Sequence, residues 1–240
     1  MTDSAVLADL APTGRLRAAI NTGNAVLVQV GADGTPTGIT VELARELGRR
    51  LGTPVDLRTY PGANAVFLDR DAGVWDIAFL AAEPERAAQI AFTPPYVHIE
   101  ATFLVQAGSR YQSVHELDHA AARIATVQGA AYDLVLSRTL QHATVVRHKN
   151  LAEALAAFSA EGFDAVAGIR QALDAVAAPG MRVLPDSFSR IEQAMAVPKG
   201  RDAGLRHLAA FLEELKASGF IRACLDRAGQ GDAVVAPPAS

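Results

Sequence analysis

Short apolar runs and helical periodicities alternate along this 240-residue chain, and that order restricts the fold more than any other feature. Leu16 to Ile20 reads as a strand, and Ile39 to Leu51 as a helix because Leu43, Leu47 and Leu51 recur four residues apart. Val55 to Leu57 is a second strand, and Trp75 to Leu80 a third after an irregular stretch. Strand and helix in turn predict a parallel sheet covered by helices, so the class is α/β.

The alternation then breaks and restarts. Two prolines in Phe92-Thr-Pro-Pro-Tyr96 forbid helix, and the β-branched and aromatic run Ile99 to Gln106 continues as extended chain up to Gly108-Ser109. Beyond it the expected elements are a strand at Arg123 to Val127, a helix at Tyr132 to Leu140, a strand at Thr144 to Val146, a helix at Leu151 to Phe158 and a strand at Asp164 to Ala167. Ala194 to Val197 reads as a further strand. Leu205, Leu208, Leu212 and Leu215 make an amphipathic helix that stops near Gly219. Ala233 to Ser240 is expected to be a frayed tail, and neither an internal repeat nor a low-complexity segment is evident.

Composition excludes some functions. The 22 basic residues are scattered and outnumbered by 26 acidic ones, unlike the clustered excess that a nucleic-acid surface needs. Cys224 is the single cysteine, so the fold stands without an internal disulfide. The first ten residues carry an early acid and lack a basic, then apolar, secretory leader. The sequence as written is therefore expected in the cytoplasm, or in the periplasm if a signal peptide has been removed. No stretch approaches the roughly 20 apolar residues that cross a bilayer, so direct membrane insertion is not expected.

In order and spacing, several segments resemble the amino-acid-type, family 3 solute-binding proteins of ABC importers. Gly14-Arg-Leu-Arg-Ala-Ala-Ile20 is similar to that family's first strand, and Thr37-Gly-Ile-Thr-Val-Glu-Leu-Ala-Arg-Glu-Leu47 to its GFDVDLA helix. Asp76-Ile-Ala-Phe-Leu, Glu85-Arg86 and Ile90-Ala-Phe-Thr-Pro-Pro-Tyr96 resemble its D…R…F(S/T)xPY block, the most specific of these signals. The resemblance implies a two-lobed type II periplasmic-binding-protein-like fold. Each lobe is a mostly parallel sheet flanked by helices, and two crossing strands join them. The expected lobes are 1–97 with 190–240, and an inserted 98–189. It also implies a ligand cleft that closes by hinge motion, an ABC-transporter permease as partner, a monomeric protein and no cofactor.

Arg86 falls where the family's arginine forks onto a ligand carboxylate, a task suited to a planar guanidinium with two parallel N–H donors. The family's usual partners for an α-ammonium are missing: Asn24 stands for an aromatic residue, Ala81 for a hydroxyl and Ile169 for an aspartate. Burying an ammonium without such partners is costly, so an organic, keto or aromatic acid is expected rather than a standard α-amino acid. The other candidate ligand contacts are Asn21, Thr22, Asn24, Glu83, Gln128, Ala131, Tyr132, Arg170 and Gln171. Asn and Thr at a strand end are also ordinary turn residues. The helix opening after Gly129 could offer backbone N–H groups to an anion, and Arg170 a second positive charge.

One motif competes with this reading. His115-Glu-Leu-Asp-His119 spells HExxH, the zinc-peptidase pattern, but it lies where barely two helical turns fit, and Ser113 reads as the N-cap of a short surface helix. No metal is expected. Ser109, Ser137 and Cys224 have no partner at a telling spacing, and no GxSxG, Walker or GxGxxG pattern occurs. The alternative to a binder is a dehydratase-like enzyme on the same fold, in which Arg86 holds a substrate carboxylate and Glu83 or Glu100 donates a proton. Trp75, Phe79, Phe92, Tyr96 and Phe103 are expected in core and hinge packing.

Overall fold

A computed structural model describes residues 3–239. The chain divides into two compact units, Met1–His98 with Glu192–Ser240, and Ile99–Ile191. In chain order the first unit contains α1 (Ser4–Leu10), β1 (Leu16–Asn21), a small hairpin of β2 (Gln29–Val30) and β3 (Pro36–Thr37), α2 (Ile39–Leu51), β4 (Val55–Tyr60), α3 (Ala63–Leu68), β5 (Ile77–Ala81), α4 (Pro84–Ala87) and β6 (Ile90–Phe92). Strand β7 (Val97–Gln106) carries the chain into the second unit, which holds β8 (Arg123–Val127), α5 (Ala131–Thr139), β9 (Thr144–His148), α6 (Leu151–Glu161), β10 (Ala165–Ile169), α7 (Arg170–Val176) and β11 (Met181–Val183). Strand β12 (Ser189–Pro198) returns to the first unit, which ends with α8 (Asp202–Ala217), α9 (Phe220–Arg227) and β13 (Val234–Val235).

The first unit is built on β1, which pairs in parallel with β4 on one side and β5 on the other; β12 then pairs antiparallel with both β5 and β6. Helix α2 occupies its predicted span and buries Leu43, Leu47 and Leu51 on one face. Each such leucine is worth about 1.5–3 kcal/mol of transfer energy. The helix also packs closely at Gly48, where a Cβ would stand 2.2 Å from a Val55 methyl carbon, so only glycine fits against β4. On another part of the unit Trp75, Val66, Ala78, Leu80 and Ile90 share one apolar cluster, with the Trp75 indole N–H donating to the Val66 carbonyl at 3.2 Å. Phe79 meets Tyr96 edge-on, as expected of core aromatics.

The second unit repeats the scheme. Strand β8 pairs in parallel with β9 and β10, and β10 pairs antiparallel with β7. Leu104, Phe158, Phe163, Val166 and Leu173 pack between this sheet and α6 and α7. Phe103, also buried, stacks with Phe188 at 4.6 Å. Several helices were not foreseen, α3, α7 and α9 among them. α3 lies in the stretch read as irregular and buries only Val66; α7 follows β10 without a loop; α9 restarts one residue after the Gly219 stop.

The expected frayed tail needs correction. Val234 and Val235 pair antiparallel with His98 and Val97, Ala233 and Ala236 are buried, and the Ala236 N–H donates to the Tyr96 carbonyl at 3.0 Å. The start of β7 presents unpaired backbone groups, and the terminal segment satisfies them. Ser240 lies outside the described residues.

A buried ion pair braces the first unit. Asp76, wholly buried just before β5, accepts from the Arg17 backbone N–H at 3.0 Å, from Arg17 Nε and Nη2 at 2.8 and 2.7 Å, and from Arg201 Nη1 at 3.0 Å. Burial pushes the Asp76 carboxyl up, but the bonds from Arg17 and Arg201 outweigh it and hold the group below its usual range. A folded-state pKa below the unfolded value of about 3.9 means stability that is complete above that pH and lost as pH falls toward the folded value. Asp76→Ala should cost about 3 kcal/mol, because two arginines lose a buried partner. In thermal melts from about pH 5 downward, Asp76→Asn should show a shallower loss of stability than wild type; an equal slope would mean the pair contributes nothing to acid sensitivity.

Candidate functional site

Parallel pairing places the candidate residues of each unit at one sheet end. In the first unit Ala18 pairs with Ile77 and Ala19 with Ala78, so β1 and β5 finish together, and Asn21 to Asn24 emerge beside Ala81 to Arg86. In the second unit Ile124 pairs with Ala165 and Ala125 with Val166, so Gln128 to Tyr132 emerge beside Arg170 and Gln171. The carboxyl ends of parallel strands are where α/β folds place ligands.

Arg86 is the outstanding residue of the first unit. It sits on α4, one turn started by Pro84 directly after β5, and only 2% of it is exposed. Burial lowers its pKa to about 10, against the favourable charges of Glu83 and Glu85, so it stays a cation at neutral pH. Its Nη1 donates to the Ala81 carbonyl at 3.2 Å. Glu83, at the N-cap of the same turn, is also buried. Gln193, a buried polar residue that the sequence reading missed, pairs across from Ala81 in β12. Its only signal was an amide directly before the apolar run Ala194–Val197.

The β1 loop is largely committed to its own turn. Thr22 sends both its backbone N–H and its hydroxyl to the Tyr60 carbonyl, at 2.9 and 2.8 Å. Asn21 Oδ1 accepts from the Gly23 N–H at 3.0 Å, and the buried Asn24 Oδ1 accepts from the Val26 N–H at 3.2 Å. Ala81 is buried, as is Ile169 in the second unit, and neither carries a polar side-chain atom.

Of the two anion-binding features expected in the second unit, Arg170 is taken up by the unit itself, and the opening of α5 carries no side-chain cap. Arg170 donates from Nε to Glu100 at 2.7 Å, and from its Nη atoms to the carbonyls of Leu184, Pro185 and Asp186 at 2.9–3.1 Å. Its charge is paired and its donors hold the 184–186 segment, so it does not act as a spare cation. At the opening of α5, the Gly129 N–H, set by a left-handed φ of +68°, donates to Asp133 Oδ2 at 2.9 Å, and the Ala130 N–H donates to Val127 at 3.1 Å. Tyr132 and Ala131 are buried, and burial, with Asp133 adding to it, raises the Tyr132 hydroxyl well above its usual range, so it is neutral. The Gln128 N–H continues the β9 pairing to the His148 carbonyl at 2.9 Å. Gln171 Oε1 is buried and lacks a hydrogen-bond partner among the described residues.

The HExxH segment has another geometry than that motif needs. Val114–Leu117 is a single 3-10 turn in which Ser113 and Glu116 cap each other's backbone, and Ser113 Oγ donates to Asp186 at 2.7 Å. Glu116 is thus occupied as a cap, and His119 Nε2 lies 2.7 Å from the Tyr111 hydroxyl.

Comparison with known proteins agrees with this architecture. The family described as bacterial extracellular solute-binding proteins, family 3, matches residues 16–230. Sequence comparison with curated proteins gave no match. Similar solved structures include a binding component of an ABC transporter from Wolinella succinogenes complexed with lysine, at 22% identity, 90% of this chain, 95% of that chain and a TM-score of 0.78. An amino acid ABC transporter substrate-binding protein from Streptococcus pneumoniae bound to L-arginine gives 20%, 92%, 97% and 0.78. An ancestral amino acid-binding protein, a precursor of cyclohexadienyl dehydratase, gives 20%, 92%, 97% and 0.78.

If Arg170 is a brace, Arg170→Gln should lower unfolding free energy by about 1–3 kcal/mol, because the carbonyls of 184–186 lose charge-assisted donors. Urea unfolding measures this, and a midpoint equal to that of wild type would contradict the structural role.

Proposed function

This chain belongs to the bacterial extracellular solute-binding proteins of family 3, and we propose that it binds a small carboxylate-bearing solute through Arg86 without transforming it. The observation that carries the proposal is a buried arginine that keeps its charge, set on a short turn at the carboxyl end of a parallel strand. A bidentate guanidinium is the natural seat for a carboxylate. A binding role is favoured over a dehydratase-like one because Glu100 is ion-paired with Arg170 at 2.7 Å and more than half of its side chain is exposed, a poor setting for a proton donor. An importer permease is the partner this reading implies. The family's description as extracellular favours the periplasmic location over the cytoplasmic one.

The proposed ligand carries a carboxylate but no free α-ammonium. Ala81 offers an ammonium no side-chain acceptor, the Thr22 hydroxyl is spent on Tyr60, and Asn24 Oδ1 is spent on Val26. Desolvating an ammonium there without compensation disfavours the amino acid against its keto or hydroxy counterpart. A thermal-shift panel of small carboxylates identifies binders, since a ligand at 100 times its Kd stabilises the fold by about 2.7 kcal/mol. Calorimetry on phenylalanine against phenylpyruvate, and on leucine against 4-methyl-2-oxopentanoate, should then show the keto acid binding at least about tenfold tighter, or 1.4 kcal/mol. Tighter binding of the amino acid would mean that a carboxylate, with the buried Glu83 foremost, reaches the ammonium.

A further inference from the structure

We propose that Gln193 is a ligand-binding residue whose side-chain amide donates to an oxygen on the carbon next to the carboxylate, so that the protein selects 2-oxo or 2-hydroxy acids over acids without that oxygen. The inference rests on the reading of Arg86 as the carboxylate seat, and every residue it uses belongs to the first unit. Gln193 lies on β12 directly opposite Ala81, the last residue of β5. The Ala82 N–H donates to the Glu192 carbonyl at 2.9 Å, so the next pair along, Ala81 with Gln193, is a non-hydrogen-bonded one. Such pairs bring their Cα atoms to about 4.5 Å and point both side chains to the same face of the sheet. The Ala81 carbonyl in turn holds Arg86 Nη1 at 3.2 Å. Gln193 is thus fixed one strand away from the residue that orients the guanidinium.

The backbone and the side chain of Gln193 are used differently. Its carbonyl accepts from the Tyr96 N–H at 2.8 Å, which fixes the strand at this point. The residue is 5% exposed, yet its side-chain amide makes no hydrogen bond to any of the described residues, and Ala81 opposite offers it only a methyl group. Buried amides are ordinarily bonded, so one set in a sheet without a partner from the chain has its donors available for a ligand. A bidentate arginine takes both oxygens of a carboxylate, which leaves the substituent on the adjacent carbon as the next group for a neighbouring amide to meet. The amide NH2 suits a keto or hydroxyl oxygen, which accepts. It suits an α-ammonium less, because the single neutral Oε1 would leave most of the ammonium's N–H donors unbonded.

The test is calorimetry on matched pairs: 4-methyl-2-oxopentanoate against 4-methylpentanoate, and phenyllactate against 3-phenylpropanoate. In wild type the oxygen-bearing acid of at least one pair should bind at least about tenfold tighter than its partner. The ratio of the two affinities is the readout, because a purely structural role would weaken both acids alike and leave it unchanged. Gln193→Met keeps the length of the side chain but removes both polar ends, and should bring the ratio close to one. Gln193→Glu, of nearly the same size, replaces the donor by an acceptor and should lower the ratio of the keto pair even if the methionine variant does not fold. A wild-type ratio near one in both pairs overturns the role of Gln193 while leaving Arg86 as the carboxylate seat. So does a ratio unmoved by Gln193→Met, or by Gln193→Glu should the first variant not fold, and so does binding of other acids from the thermal-shift panel but of neither pair. Absence of binding by every acid, in these titrations and across the panel, overturns both.

Discussion

The parallel register of β1 with β5, and of β8 with β10, is the constraint from which the candidate site follows. Parallel strands end on the same edge of a sheet, so residues far apart in sequence are delivered to one sheet end: Asn24 with Arg86 in one unit, Tyr132 with Arg170 in the other. Nothing in the local sequence around any of these residues would bring them together. In the first unit the register is itself pinned by Asp76, whose carboxylate takes the Arg17 backbone N–H and the Arg17 guanidinium while β5 begins beside it. A buried charge is thereby used at the far end of the strands from the candidate site, where it can brace without competing for ligand.

Burial separates the bracing arginines from the candidate binding one. Arg17, Arg170 and Arg147 each reach a carboxylate within 3.1 Å and extend to further acceptors of the unit they belong to. Arg86 differs in its setting: it is almost wholly buried and has its pKa lowered to about 10 by that burial, a cost that a bound carboxylate would offset. Perturbed pKa values cluster at functional sites, which makes a buried, perturbed arginine at the carboxyl end of a parallel strand a site candidate.

The backbone was more legible in the sequence than the site. The period of four in Leu43, Leu47 and Leu51 located α2 at both ends, and the β-branched run from Arg123 located β8, because burial of one face writes a periodicity into the chain. α3 escaped because it buries a single residue, and β13 because two valines near a terminus carry no periodicity; only the open edge of β7 explains why they pair. Membership of the family was readable from the Asp76, Arg86 and Tyr96 block. The bracing by Arg170 was not, since whether a charge is spent depends on a partner 70 residues away, Glu100, that no local pattern announces.

The central claim is that Arg86 seats a ligand carboxylate, and the most direct test is calorimetric titration of the tightest-binding acid into wild type and into Arg86→Lys, with circular dichroism to confirm that both are folded. Lysine retains the positive charge but not the planar fork, so the account predicts a loss of affinity of about tenfold or more with an unchanged fold. Equal affinity in the two proteins would contradict it and place the carboxylate elsewhere.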